Sequence, residues 1–247
     1  MTELVGILNI TPDSFSDGGD FFRLEAALKC ADQLFADGAS LLDIGAESTR
    51  PGAKPLTASE EWQRLEPALS KLLPAYPGRI SLDSYHPETI ERAFTIGSVI
   101  VNDVTGLHNP AMVAVVTTLK PRVIISHLPG TDIQAAHQLK PVTSVGAVKA
   151  DLLATAQQLE RAGLARQQII LDPGIGFGKT MELNAQLLSF AAEVPDYEVM
   201  IGYSRKRFLG EQRMELEPNL AAGRIAIQSG ANYLRVHDVA GHAQLLK

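Results

Sequence analysis

The run Ile169-Ile-Leu-Asp-Pro-Gly-Ile-Gly-Phe-Gly-Lys-Thr180 carries an apolar stretch to an aspartate, Asp172, and then places three glycines within five residues. This pattern suits a buried parallel strand that delivers a carboxylate into a loop where a ligand can approach the backbone closely. The ending Gly178-Lys179-Thr180 invites comparison with a phosphate-binding P-loop. That motif needs a glycine five residues before Gly178, and Pro173 occupies the position, so the spacing rules it out. Two readings of Asp172 remain: a cap on a glycine-rich strand-to-helix turn, or a carboxylate that touches a ligand.

Polar residues recur in the same way elsewhere. Asn9, Glu47, Asp83, Asn102 with Asp103, His127, Ser204 to Lys206, and Arg235 with His237 each stand at or just past the end of a short apolar run. Packing does not demand polar groups there, since they are solvated as easily anywhere on an outer surface. The runs predict strands at 4–10, 40–45, 79–84, 98–104, 122–128, 168–172, 197–202 and 232–237. Between them, apolar residues recur at helical spacing, as in Leu24, Ala27, Leu28, Ala31, Leu34 and Phe35. Thr57 and Glu60 have the spacing of a capping box. Asn109 and Pro110 combine a cap with a proline in the first turn. The longest helical pattern, about 144–162, stops at Gly163, a natural residue to follow a helix end.

Strand and helix alternating eight times, joined by right-handed crossovers, imply a parallel sheet that closes. The expected fold is a TIM (β/α)8 barrel of eight parallel strands with a short C-terminal eighth helix; a doubly wound open sheet is the alternative. The 247 residues are close to the roughly 250 of such a barrel, and no linker interrupts them, so 1–247 is expected to be one domain. Active sites of this fold lie at the C-terminal ends of the strands, where the polar residues fall. Loops 11–22, 46–56 and 128–143 are long and rich in Gly, Pro, Ser, Thr and Asp, and are expected to cover that face.

Apolar residues make up 45% of the chain, enough to fill the core, and the net charge of -6 argues against nucleic acid or an anionic membrane surface as a partner. Any anionic ligand must therefore meet local arginine and lysine. Cys30 is the only cysteine, which excludes an intrachain disulfide and a cysteine-based zinc framework and fits a reducing compartment. Neither an export signal in the first ten residues nor an apolar run of about 18 is present, so a cytoplasmic protein with no membrane partner is expected.

Several residues have plainer readings. His86, His108, His137 and His242 read as solvated or capping, Trp62 as helix packing and Cys30 as a small packed residue. Asp43 and Asp103 stay open between structural acceptors and ligand contacts. His127 lacks a second histidine or carboxylate at metal spacing, so zinc is not expected there.

Seven segments, in order, resemble the dihydropteroate synthase family: 6–19 (GILNITPDSFSDGG), 43–53 (DIGAESTRPGA), 81–84, 101–104, 171–179, 204–206 and 235–238. The resemblance covers essentially the whole chain. It implies the joining of p-aminobenzoate to 6-hydroxymethyl-7,8-dihydropterin diphosphate, with release of pyrophosphate and formation of 7,8-dihydropteroate in folate biosynthesis. By the same resemblance Asp83, Asn102, Asp172 and Lys206 hold the pterin, Asp172 accepting paired N–H bonds. Asn9, Arg50, Arg235 and His237 meet the diphosphate, with Asn9 beside Mg2+, an ion that keeps several waters and takes phosphate oxygens. Phe15, Asp17, Thr49, Arg50, Pro51 and Phe177 shape the p-aminobenzoate pocket, and Asp17 accepts the amine proton. The implied catalytic set is Asp17, Arg50, Lys206, Arg235 and His237. C–O cleavage runs ahead of attack in this family, and the aniline captures the resulting pterin cation. Sulfonamides, as p-aminobenzoate mimics, are expected to compete.

The chain departs from the family at Arg207, where many members have serine close to the p-aminobenzoate carboxylate. It also lacks residues that usually precede the first strand and ends a short way into the eighth helix. Because the family usually dimerises through helices near the C-terminus, a homodimer is left open. The rival readings are a pterin-binding barrel carrying methyl-tetrahydrofolate for a corrinoid partner, expected to lack the 11–17 and 47–52 loops, and a weakly active paralogue.

Overall fold

A computed structural model describes residues 1–11, 20–47, 54–136 and 138–246. In chain order the elements are β1 (Glu3–Asn9), α1 (Asp20–Ala36), β2 (Leu41–Gly45), α2 (Ala58–Ala75), β3 (Ile80–Asp83), α3 (Pro87–Ile96), β4 (Ile100–Asp103), α4 (Pro110–Leu119) and β5 (Val123–Ser126). They continue with α5 (Ile133–Ala136), α6 (Val145–Arg161), β6 (Ile169–Asp172), α7 (Met181–Gln186), β7 (Glu198–Ile201), α8 (Leu216–Gln228), β8 (Tyr233–Val236) and α9 (Val239–Ala243). Each strand pairs in parallel with the next, and β8 returns to β1, which closes the barrel. The predicted strands are all present, with ends within two residues of expectation.

Local chemistry explains the helix boundaries. The Glu60 N–H donates to Thr57 Oγ1 at 3.2 Å, and the Thr57 N–H donates to Glu60 Oε2 at 2.8 Å, which completes the capping box at α2. Asn109 Oδ1 accepts from the Ala111 N–H at 3.0 Å and starts α4. Beyond α6, Gly163 takes φ +98°, a conformation that costs glycine little. One expectation is corrected: α2, with its 18 residues, exceeds the 17 of α6, because Pro67 and Pro74 do not end it.

Strand alternation sorts the side chains into two sets. Val5, Leu41, Ile100, Ile124, Ile170, Met200 and Tyr233 form a separate apolar cluster that plugs the barrel axis. Two residues further along the same strands lie Asp43, Asn102, Ser126, Asp172, Gly202 and Arg235. The intervening residues Leu42, Val101, Ile125, Leu171, Ile201 and Leu234 belong to the larger core between strands and helices, with Trp62 packed among them. The barrel is thus apolar at its lower end and polar at its C-terminal mouth.

Candidate active site

The mouth is organised by Arg235. Its Nε donates to Asp43 Oδ2 at 2.5 Å and its Nη2 to Asp83 Oδ2 at 3.0 Å. Asn102 Nδ2 donates to both Asp43 oxygens, at 3.2 and 3.1 Å. That contact fixes the amide orientation and leaves Asn102 Oδ1 buried with no hydrogen-bond partner among the described residues. Asp83 and Asn102 are register neighbours on β3 and β4. Gly45 opposite Asp83, and Gly202 between Asp172 and Arg235, keep the centre clear: a Cβ on Gly202 would stand 3.6 Å from Asp172 Oδ2.

Asp172 closes the ring from β6. Its Oδ1 accepts from the Gly174 N–H at 2.7 Å. Burial raises the Asp172 carboxyl above the usual range, against the opposing pull of Lys206. Burial, and then the nearby Asp43 carboxylate, raise Asp83 in the same sense. The Lys206 ammonium is brought down to about 8 by burial, opposed by Asp172. It donates to the Ile175 carbonyl and lies 5.2 Å from the centre of the Phe177 ring. The mouth therefore holds carboxylate and carboxamide acceptors, with a cation beside Asp172 that stands over an aromatic face.

The glycine-rich loop is shaped by its own backbone. Gly174, Gly176 and Gly178 all have positive φ, and a Cβ on Gly174 would fall 2.1 Å from the His127 carbonyl oxygen. Lys179, the residue that mimicked a P-loop lysine, is buried and turned inward on this loop. Its Nζ donates to the carbonyls of His127, Gly174 and Phe177 at 3.2, 2.8 and 3.0 Å. Burial lowers it to about 7. Asn184 Oδ1 holds the Gly176 N–H at 2.7 Å.

Not every strand-end polar residue belongs to the mouth, which corrects the view that chemistry gathers on all of them. Asp103 and His127 fall on the outward phase of their strands. Asp103 Oδ1 accepts from the Thr105 N–H and hydroxyl at 2.7 and 2.6 Å, so it shapes a turn. His127 faces α6, its Nε2 3.3 Å from Asp151, and burial followed by the Lys179 charge lowers it to about 4. Glu47 accepts from the Tyr85 hydroxyl at 2.8 Å and from the Leu56 N–H at 2.9 Å, tying neighbouring loops. His242 is another correction: it is buried rather than solvated, donating from Nδ1 to the Asp238 carbonyl at 2.5 Å.

Of the remaining expected residues, Asn9 is exposed at the end of β1, in register with Gly45. His237 Nδ1 lies 3.0 Å from Ser204 Oγ, just past β8. Arg207 is exposed beside Lys206. Phe15, Asp17, Thr49, Arg50, Pro51 and His137 lie outside the described residues. Among the described residues, no three His, Cys, Asp or Glu side chains gather as a metal cage. Sequence reasoning left Asp43 undecided and gave Lys179 no task. The signal for Asp43 is a lone carboxylate inside the apolar run Leu41-Leu-Asp-Ile-Gly45.

Residues 5–237 match the family described as pterin binding enzyme. The dihydropteroate synthase of Neisseria meningitidis serogroup C is 37% identical over 99% of this chain and 90% of its own length. A Xanthomonas albilineans dihydropteroate synthase solved with 4-aminobenzoic acid superposes with a TM-score of 0.88 at 38% identity, covering 99% of this chain and 90% of that one. The Burkholderia cenocepacia dihydropteroate synthase complexed with 7,8-dihydropteroate gives 0.86 at 34% identity, covering 100% and 89%. The chain belongs to the pterin binding enzyme family, among the dihydropteroate synthases.

Proposed function

We infer that this barrel is a transferase that condenses 6-hydroxymethyl-7,8-dihydropterin diphosphate with p-aminobenzoate, giving 7,8-dihydropteroate and pyrophosphate. The observation that carries the reading is the buried Asn102 Oδ1, an acceptor without a partner among the described residues, flanked by Asp83. A buried orphan acceptor is costly, and an N–H of a flat heterocycle relieves it. Asp172 takes paired N–H bonds from the amino-pyrimidinone edge, using lone pairs left after the Gly174 contact. Lys206 supplies the opposing donor to a ring acceptor.

The pterin seated in this way presents its exocyclic carbon at the open mouth. Pyrophosphate leaves with the C–O bonding pair, and the cation that remains is delocalised over the ring. The p-aminobenzoate nitrogen then forms the new C–N bond and loses a proton, for which Asp17 is the proposed acceptor. No protein nucleophile takes part. Arg235 has two nitrogens engaged with Asp43 and Asp83, so its Nη1 is the atom offered to the diphosphate, beside His237 and Arg50. Asn9 presents one exposed carboxamide oxygen, a donor type that fits Mg2+ held otherwise by phosphate oxygens and water. When bound, such an ion would supply charge neutralisation for the diphosphate, alongside Arg235 and His237.

Phe177 packs with Tyr85 against the apolar cluster of Val104, Leu128, Ile133 and Ala136, which supports its place as an aromatic wall for p-aminobenzoate. Thr49, Pro51 and Phe15 complete that pocket in this proposal, and exposed Arg207 pairs with the carboxylate. Sulfonamides compete there. Exposed Met214, Leu216, Ile225 and Leu246, on and near α8, support a homodimer. No described helix is long and apolar enough to cross a membrane, and the lone cysteine supports a cytoplasmic setting.

The test is pyrophosphate release with each component withheld in turn. Release is expected only with the pterin diphosphate, p-aminobenzoate and Mg2+ together. A folded sample that binds pterin and releases nothing would favour the methyl-tetrahydrofolate carrier.

A further inference from the structure

Lys206 stands on a turn that contains a residue in an uncommon conformation. Arg205 has φ +61°, the left-handed region, which a side chain with a Cβ disfavours. Its backbone N–H donates to Asn219 Oδ1 at 2.9 Å. Asn219 sits in the first turns of α8 and is buried, and its Nδ2 donates to the carbonyls of Arg213 and Glu215 at 2.8 and 2.6 Å. Two carbonyls on the nitrogen side and one N–H on the oxygen side leave the amide a single satisfactory orientation. One carboxamide therefore spans the whole connection from β7 to α8, and the turn it pins lies between Ser204, which contacts His237, and Lys206.

We propose that Asn219 is a positioning residue for the pterin step: by holding the Arg205 N–H it fixes the left-handed turn that aims the Lys206 ammonium at the Ile175 carbonyl and the Phe177 face. The proposal rests on the reading of this mouth as the pterin site. The Lys206 N–H also closes this turn on the Tyr203 carbonyl at 3.2 Å, so without the Asn219 bond that longer contact is what remains to offset the left-handed geometry at Arg205. The turn then relaxes, and the ammonium moves toward water. A carboxamide that only secured the start of α8 would affect stability and leave the behaviour of Lys206 unchanged.

The experiment compares Asn219→Ala, Asn219→Asp and the double variant Asn219→Ala/Arg205→Gly, each assayed below its own melting temperature. In Asn219→Ala the KM for the pterin diphosphate should rise roughly tenfold or more, the equivalent of one lost hydrogen bond to a critical turn. The KM for p-aminobenzoate should stay within about twofold. The alkaline limb of kcat/KM should move upward as Lys206 becomes solvated. Asn219→Asp keeps an acceptor for the Arg205 N–H but sets its second oxygen against the Arg213 and Glu215 carbonyls, so it should lose stability while the folded fraction retains pterin KM within roughly threefold. Glycine at position 205 lowers the cost of the left-handed turn, so the double variant should regain at least about threefold of the loss.

A lower melting temperature with unchanged pterin KM, kcat and pH profile would overturn the proposal. If Asn219→Ala does not fold, Asn219→Ser, too short to reach the Arg205 N–H, is judged by the same criteria. Should the wild-type chain release no pyrophosphate, the functional reading fails separately, and the Kd for pteroic acid measured by calorimetry carries the same comparison.

Discussion

Arg235 on β8 reaches across β1 to Asp43 on β2, placing Nε 2.5 Å from Oδ2 of a carboxylate that has no solvent exposure. The same carboxylate orients Asn102, so one buried charge sets the geometry of two residues at the mouth. Asp43→Ala should cost about 3 kcal/mol, the lower end for breaking a buried pair, because Asp83 still faces the guanidinium. It should also raise the pterin KM, since Asn102 is free to turn. Urea unfolding combined with substrate kinetics checks both; stability lost without any change in KM would mean that Asp43 supports only the fold.

The two lysines of the site should separate. Lys206→Ala should lower kcat/KM by roughly 100-fold, the scale of one lost electrostatic contact in a shielded site. In the wild type, pterin affinity should fall as pH rises through about 8, where the ammonium is lost. Lys179→Ala strips the donor from three carbonyls and should cost roughly 2–4 kcal/mol of stability, with a smaller kinetic loss. Equal kinetic losses at matched folded fractions would show that the loop lysine touches substrate.

His127 gives a pH signature of stability. Its folded-state value of about 4 lies below the usual 6.5, so the unfolded chain takes up the proton first as pH falls. Stability should be lost progressively between about 6.5 and 4, by a few kcal/mol at most, with no further loss from this group below 4. His127→Gln should flatten that window in denaturant titrations, and an unchanged slope would contradict the assignment.

Much of this site was legible in the sequence, and the misses have a common cause. Apolar runs that stop at polar residues located every strand, and the Thr57/Glu60 and Asn109/Pro110 pairs located helix starts, because both signals are local. Whether a strand-end residue faces the axis depends on register, which is set by neighbouring strands. Asn102 and Asp103 are adjacent, so both could not face inward, but the sequence alone did not say which one did. His127 fell on the outward phase for the same reason. Lys179 received no role and the burial of His242 was missed because the destination of a long or partly polar side chain is decided by distant backbone. For Lys179 that backbone includes the His127 carbonyl on another loop.

The glycines divide by what surrounds them. Gly174→Ala places a Cβ against the His127 carbonyl oxygen as well as at positive φ, and should remove the folded loop and the activity with it. Gly163→Ala also has positive φ but meets nothing within 4 Å, so its cost should be about 1 kcal/mol with activity retained. Thermal melts and activity assays of the two side by side distinguish steric from purely conformational demand, and similar outcomes would contradict the packing at Gly174.

The claim that inward register selects the chemical residues is tested most directly by kcat/KM for the pterin diphosphate in Asp172→Asn and Asp103→Asn, measured together on folded protein. Both residues end a strand, both are buried, and only Asp172 faces the axis. The expected result is a loss of about 100-fold or more for Asp172→Asn and no more than about threefold for Asp103→Asn. Comparable losses, or a greater loss at Asp103, would contradict it.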